Sequence, residues 1–305
     1  MLTIDDVEGA AARIQGRVRR TPVMAKDDGG WFKLELTQHT GTFKARGAMN
    51  RVLSAQEAGE LDPAVGIAVA SGGNAGLANA WAARSVGVPA TVFVPSIASP
   101  AKLERLSAYG AHVVVAGDEY AHAQEAVLEH VARTGAVLCH AYDQPEICAG
   151  AGTLGLEIVE QCPDADTVLL AVGGGGLIAG VATAVGDRAR VVGVEPELAP
   201  TLHEALAVGE PVDVPVSGVA ADSLGARRIG AIGWAVARRE GVGSVLVTDD
   251  AIAEARRWLW REHRLVVEAG AAAPVAALMT GAYRAESGER VVVVLCGANT
   301  DPSDL

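Results

Sequence analysis

Aromatic residues make up only 4% of this 305-residue chain, and no uninterrupted apolar run approaches the roughly 20 residues that a membrane-spanning helix needs. The opening Met1-Leu2-Thr3-Ile4-Asp5-Asp6 has neither the basic flank nor the apolar core of an export signal, so a cytoplasmic protein is expected. Cysteine is scarce. Cys139, Cys148, Cys162 and Cys296 form no CxxC pair and no His/Cys metal spacing, which argues for reduced thiols rather than a disulfide framework or a zinc site. Basic residues are outnumbered, 25 against 37 acids, for a net charge of −12 spread along the chain. That balance argues against a nucleic-acid or anionic-membrane partner.

What the chain does have is apolar residues, half of the total. They fall into strand-like runs separated by helix-length segments: Gly66–Ala70, Ala90–Pro95, Ala111–Ala116, Ala136–His140, Thr167–Val172, Arg190–Glu195, Ser244–Thr248 and Arg290–Leu295. Most are continuous rather than alternating, as in strands covered on both faces, and repeated strand–helix units imply parallel sheets flanked by helices. Val7, Ala11, Ile14 and Val18 predict one face of an opening helix. Asp250 to His263 predicts an amphipathic helix burying Ile252, Ala255 and Leu259. Pro145, Gly150 and Gly152 mark a domain boundary near Tyr142–Gly152. The irregular stretch Pro211–Gly225 is expected to cover a site or a subunit contact.

Three loops carry chemistry. Ser71-Gly72-Gly73-Asn74-Ala75-Gly76 follows one strand and opens a helix, where glycines admit a ligand close to the backbone and the helix start offers free N–H groups to an anion. Gly173-Gly174-Gly175-Gly176-Leu177 does the same after Val172 and forms a cradle for a phosphate. Its rival reading is a dinucleotide fingerprint: Gly174, Gly176 and Ala179 fit GxGxx(G/A), and Glu195 stands where a ribose-binding acid belongs. The loop alone decides nothing. Cys296-Gly297-Ala298-Asn299 ends the last strand, on the side of a parallel sheet where ligands bind. Finally, Lys44 sits between Phe43 and Ala45, neighbours that favour a desolvated, nucleophilic amine suited to a Schiff base with a carbonyl.

These pieces occur in one order over nearly the whole chain: Arg20-Thr21-Pro22, the Lys33/Glu35/Gln38/Thr40-Gly41-Thr42-Phe43-Lys44 block, Ser71–Gly76, Ala141-Tyr142-Asp143, the glycine loop, Glu195-Pro196 and Cys296–Asn299. The combination resembles the fold-type-II pyridoxal-phosphate enzymes, the tryptophan synthase β-like family, and within it the serine/threonine dehydratases. The resemblance implies an α/β fold of two open twisted, mainly parallel sheets with flanking helices. Residues 1–37 plus 141–305 would form a large cofactor-binding domain and 38–140 a small one. Lys44 would hold pyridoxal 5′-phosphate covalently, Gly173, Gly174, Gly175 and Gly176 with Leu177 would hold its phosphate, and Asn74 would bond its phenolic oxygen. Phe43 would flank the ring and Cys296 face the pyridine nitrogen, while Ser71, Gly72 and Gly73 would receive the substrate carboxylate. The implied reaction is α,β-elimination of water from L-threonine or L-serine in a homodimer. Racemase or β-replacement chemistry is the alternative, with an NAD(P)-binding oxidoreductase more remote.

Departures from the family pattern sharpen these expectations. Gly72 stands where the racemases carry a serine, so elimination without appreciable racemisation is expected. Thr42 replaces a serine and Ala75 a frequent histidine. Glu268 lacks the proline that usually follows it and is assigned no role. Glu195, Ala199 and Thr201 match a cation site, for which potassium is expected because only one carboxylate is offered. No residues remain for a regulatory domain after Asn299, so no isoleucine inhibition is expected.

Overall fold

All eight expected strands form, each within one residue of its expected ends, and two short ones join them. The computed structural model describes residues 1–305, the side chain of Asp304 excepted. The strands are β1 (Val23–Ala25), β2 (Trp31–Lys33), β3 (Ile67–Ala70), β4 (Ala90–Val94), β5 (His112–Val115), β6 (Val137–Cys139), β7 (Thr167–Ala171), β8 (Arg190–Pro196), β9 (Gly243–Val247) and β10 (Val291–Val294). The helices are α1 (Ile4–Ile14), α2 (Lys44–Glu57), α3 (Asn74–Val86), α4 (Pro100–Ala108), α5 (Tyr120–Thr134), α6 (Pro145–Gln161), α7 (Gly176–Val185), α8 (Thr201–Val208), α9 (Ala231–Arg239), α10 (Asp249–His263) and α11 (Ala269–Thr280).

Two sheets result. One runs β1-β2-β10-β7-β8-β9, parallel except for the β1–β2 hairpin, and the other runs β5-β4-β3-β6, parallel throughout. Every residue of β3, β4, β7 and β10 is buried, which is why those segments read as unbroken apolar runs. The hairpin escaped the sequence reading because its strands are three residues long and β2 ends on a lysine, Lys33, that is fully buried.

Three expectations change. Helix α1 stops at Ile14, so its buried set is Val7, Ala10 and Ile14, and Val18 lies beyond its end. Gly150 and Gly152 are not linker residues but lie inside α6, with Pro145 in its first turn, where a missing N–H costs nothing. A Cβ on Gly150 would stand 2.6 Å from the Gly47 Cα, and one on Gly152 would stand 2.8 Å from the Gly180 carbonyl. The glycines let α6 lie against α2 and α7. Glu268, lastly, stands in the site described next.

The start of α2 is further fixed by buried charge. Arg46, 1% exposed, donates from Nε and Nη2 to the two oxygens of Glu35 at 2.9 and 2.7 Å, and from Nη1 to Glu157 at 2.7 Å. Lys33 Nζ donates to the other Glu157 oxygen at 2.6 Å. Two cations balance two carboxylates. Burial pulls the Arg46 pKa down, and the Glu35 and Glu157 carboxylates more than offset it, leaving it above the ordinary arginine value.

Candidate active site

Lys44 is the first residue of α2, and the loop delivering it is stitched to the end of β10. Phe43 N–H donates to the Cys296 carbonyl at 3.0 Å, and Ala298 N–H to the Gly41 carbonyl at 2.9 Å. Thr40 and Gly41 both take positive φ there, 61° and 71°, a tight reversal that glycine accepts readily and threonine rarely. Lys44 Nζ donates to the Ala141 carbonyl at 2.7 Å and lies 5.1 Å from the centre of the Phe43 ring. Burial lowers its pKa to about 8, against the opposing pull of the Glu268 carboxylate. Near neutrality a useful fraction of this amine is therefore uncharged.

A small cavity of about 40 Å³ gathers Lys44 and Phe43 with Asn74, Gly173, Gly174, Gly175, Gly176, Leu177 and Cys296, every residue expected to touch the cofactor. The glycine loop joins β7 to α7, so the first N–H groups of α7 have no intrahelical acceptor. Gly175 has φ +88°, and a Cβ on Gly176 would meet the Tyr142 carbonyl at 2.6 Å; one on Gly174 would overlap the Tyr142 ring. Side chains are excluded here. Burial pushes the Cys296 thiol far above its ordinary pKa, so it stays neutral.

Ser71, Gly72 and Gly73 are half-buried and do not line that cavity; only Asn74 from their loop does. Glu195 and Thr201 do not line it either, although Thr201 Oγ1 donates to the Gly173 carbonyl at 2.5 Å. The Glu195 carboxylate is fully buried and accepts from Leu202 N–H at 2.7 Å, His203 N–H at 2.8 Å and Ser244 Oγ at 3.1 Å, with Thr201 Oγ1 at 3.0 Å. It caps the start of α8 and is unavailable to a ribose, which removes the dinucleotide reading. The Ala199 carbonyl accepts from Thr201 N–H at 3.2 Å. Among the described residues no cluster of three or more His, Cys, Asp or Glu side chains forms a metal site.

Several lining residues carried no role in the sequence reading. Glu268, 6% exposed, holds both carboxylate oxygens 2.9 Å from Asn74 Nδ2. Tyr142 packs against the glycine loop, while Ser223 and Leu224 come from the irregular stretch that was expected to cover a site. Glu268 was legible only as a lone acid before Ala269-Gly270; its partner lies 194 residues away.

The pattern described as pyridoxal-phosphate dependent enzyme matches residues 14–297. The chain belongs to this family. Among curated relatives, the L-threonine ammonia-lyase of Geobacter sulfurreducens is 37% identical over 99% of this chain and 76% of its own length. The phenylserine dehydratase of Ralstonia pickettii is 37% identical over 97% of this chain and 92% of its own. Among solved structures, maize serine racemase aligns with a TM-score of 0.92 at 30% identity, covering 99% of this chain and 94% of that one. The threonine deaminase of T.th. aligns at 0.90 and 33% identity, covering 98% and 99%. The residues fit the family's cofactor: an amine of lowered pKa, a side-chain-free phosphate cradle at a helix start, and a neutral thiol in one cavity.

Proposed function

We propose that the chain is a pyridoxal-phosphate-dependent ammonia-lyase that removes water from L-threonine or L-serine, giving 2-oxobutyrate or pyruvate and ammonia. The observation that carries this reading is Lys44 Nζ inside the cavity closed by the glycine loop, with its pKa brought down to about 8. The named activities of the relatives supply the reaction class.

Pyridoxal phosphate, when bound, supplies the electron sink that makes the α-proton of an amino acid acidic. The chain's own residues do the rest. Gly173 to Gly176 and Leu177 offer backbone N–H groups to a phosphate, backed by the α7 dipole. Phe43 shields one side of the cavity from water. Lys44 Nζ would hold the cofactor through its aldehyde carbon and would serve as the general base for the substrate α-proton. The neutral Cys296 thiol is too weak an acid to protonate a pyridine nitrogen, which tempers the sink and favours loss of the β-hydroxyl over transamination. Ser71, Gly72 and Gly73, beside Asn74, are assigned the substrate carboxylate, and Gly72 offers no proton for racemisation.

Three finer readings belong to the same proposal. Residues 38–140 form the small domain, supported by the containment of β3 to β6 within that range. The enzyme is a cytoplasmic homodimer in amino-acid catabolism, supported on the cytoplasmic side by four unbridged cysteines. A potassium ion at Glu195, Ala199 and Thr201 would have to displace the donors now on that carboxylate, so no step is routed through it; activity in potassium, sodium and EDTA buffers decides it.

The deciding experiment is an absorbance spectrum of purified protein with pyridoxal phosphate, followed by ketoacid assays. A visible band lost in Lys44→Ala, together with 2-oxobutyrate from L-threonine, is expected. No band, or a band unaffected by Lys44→Ala, refutes the reading.

A further inference from the structure

An asparagine amide presents a donor at one end and an acceptor at the other in nearly the same shape, so its partners decide which end faces a cavity. At Asn74 the partners are one-directional. Arg105, whose guanidinium can only donate, gives a hydrogen bond to Asn299 Oδ1. Asn299 Nδ2 donates to the Thr40 carbonyl, which can only accept, at 2.9 Å. Asn299 is thereby fixed, and its Nδ2 also reaches Asn74 Oδ1 at 2.6 Å. Asn74 Nδ2 is left to donate to the Glu268 carboxylate, 2.9 Å from each oxygen. Two oxygens equally distant from one nitrogen share one hydrogen, which leaves the second for the cavity.

We propose that Glu268, together with Asn299, is a positioning residue that sets the polarity of the Asn74 amide, so that an N–H and not a carbonyl oxygen is presented to the bound cofactor. The proposal rests on the cofactor reading above. The carboxylate is built in: Glu268 N–H donates to the Gly297 carbonyl at 3.1 Å, and a Cβ on Gly297 would overlap Glu268 Oε1. Gly297 has no positive φ, so the space it leaves is for that carboxylate rather than for a turn. The charged groups facing Glu268 are Lys44 on α2 and Arg105 on α4. Burial raises its pKa to about 7 against the Asn74 hydrogen bond and those two cations. Below that pH the carboxyl gains a hydrogen and ceases to be acceptor-only, so Asn299 alone holds the polarity.

The test uses Glu268→Gln and Asn299→Asp, both close in shape to the native residues. Pyridoxal-phosphate Kd is measured by absorbance from pH 6 to 8. The ratio of the Glu268→Gln Kd to the wild-type Kd is expected to be near one at pH 6 and on the order of tenfold at pH 8, because only the ionised native residue adds an acceptor-only partner to the hold that Asn299 has on the amide. Asn299→Asp, which forces an acceptor onto Asn74 Oδ1, should weaken binding on the order of tenfold at both. A ratio independent of pH, or Asn299→Asp binding like the wild type, overturns the proposal. Independently of cofactor binding, the Asn74 side-chain amide resonances of cofactor-free protein should shift with a midpoint near pH 7 in the wild type and not in Glu268→Gln. Identical titrations in both proteins overturn the proposal even if the cofactor reading stands, and failure of the wild type to bind pyridoxal phosphate sinks that reading alone.

Discussion

Arg46→Met takes a fully buried guanidinium away from Glu35, which is 0% exposed, and from Glu157. The lost bonds include a two-pronged pair to Glu35 at 2.7 and 2.9 Å, one to Glu157 at 2.7 Å and one to Thr153 at 3.1 Å, with longer ones to the Arg19 carbonyl and Thr21 Oγ1. Glu157 keeps Lys33, but among the described residues Glu35 is left with Thr21 as its only side-chain donor. Breaking a buried pair from one side costs about 3–5 kcal/mol, because the abandoned charge stays desolvated. At roughly 2 °C per kcal/mol for a chain this long, the thermal midpoint should drop by about 6–10 °C. Urea unfolding followed by tryptophan fluorescence measures the cost. The double variant Arg46→Met/Glu35→Leu removes both ends and should be more stable than the single one by about 1–2 kcal/mol or more. Since Arg46 stands two residues after Lys44 on α2, the single variant should also weaken cofactor retention. A single-variant cost below about 1 kcal/mol, or a double variant less stable than the single, refutes the assignment of this network as the seat of the lysine helix.

Lys44→Met should stabilise cofactor-free protein by roughly 2 kcal/mol at pH 7, a value discounted for water still reaching the cavity, because a folded pKa of about 8 lies below the unfolded value. The unfolded chain binds the extra proton between those values, so wild-type stability rises with pH there and the gap should close by about pH 10.4; a gap constant with pH counts against it. Gly150→Ala places a methyl 2.6 Å from Gly47 Cα, backbone that cannot turn aside, and should cost about 1–3 kcal/mol in urea while loosening α2. Gly72→Ser meets only ordinary contacts, Val94 Cγ1 at 3.4 Å and Ala98 Cβ at 3.8 Å, and should fold normally. Chiral product analysis of that variant with L-serine is expected to show D-serine that the wild type does not make; its absence argues against Gly72 as the reason for clean elimination.

Period and punctuation were enough to locate eight of the ten strands, because a strand buried on both faces must be apolar throughout and a glycine-rich turn must follow it where a ligand approaches. The Lys44 and glycine-loop residues stood out locally, but the loop alone left phosphate and dinucleotide both open, and their roles came from the order of motifs along the chain that resembles the family. Only tertiary structure could decide what depends on a distant partner. Gly150 reads as punctuation until Gly47 is seen against it, and β2 is invisible until β10 pairs with it. Glu195 matched a ribose acid or a cation ligand on spacing, and three N–H and O–H donors converging on it made it a helix cap. Glu268 had no signature, since its meaning lies in an amide 194 residues earlier. Sequence specifies donors and acceptors, but which of them meet is settled by the packing of one sheet's loops against the other's.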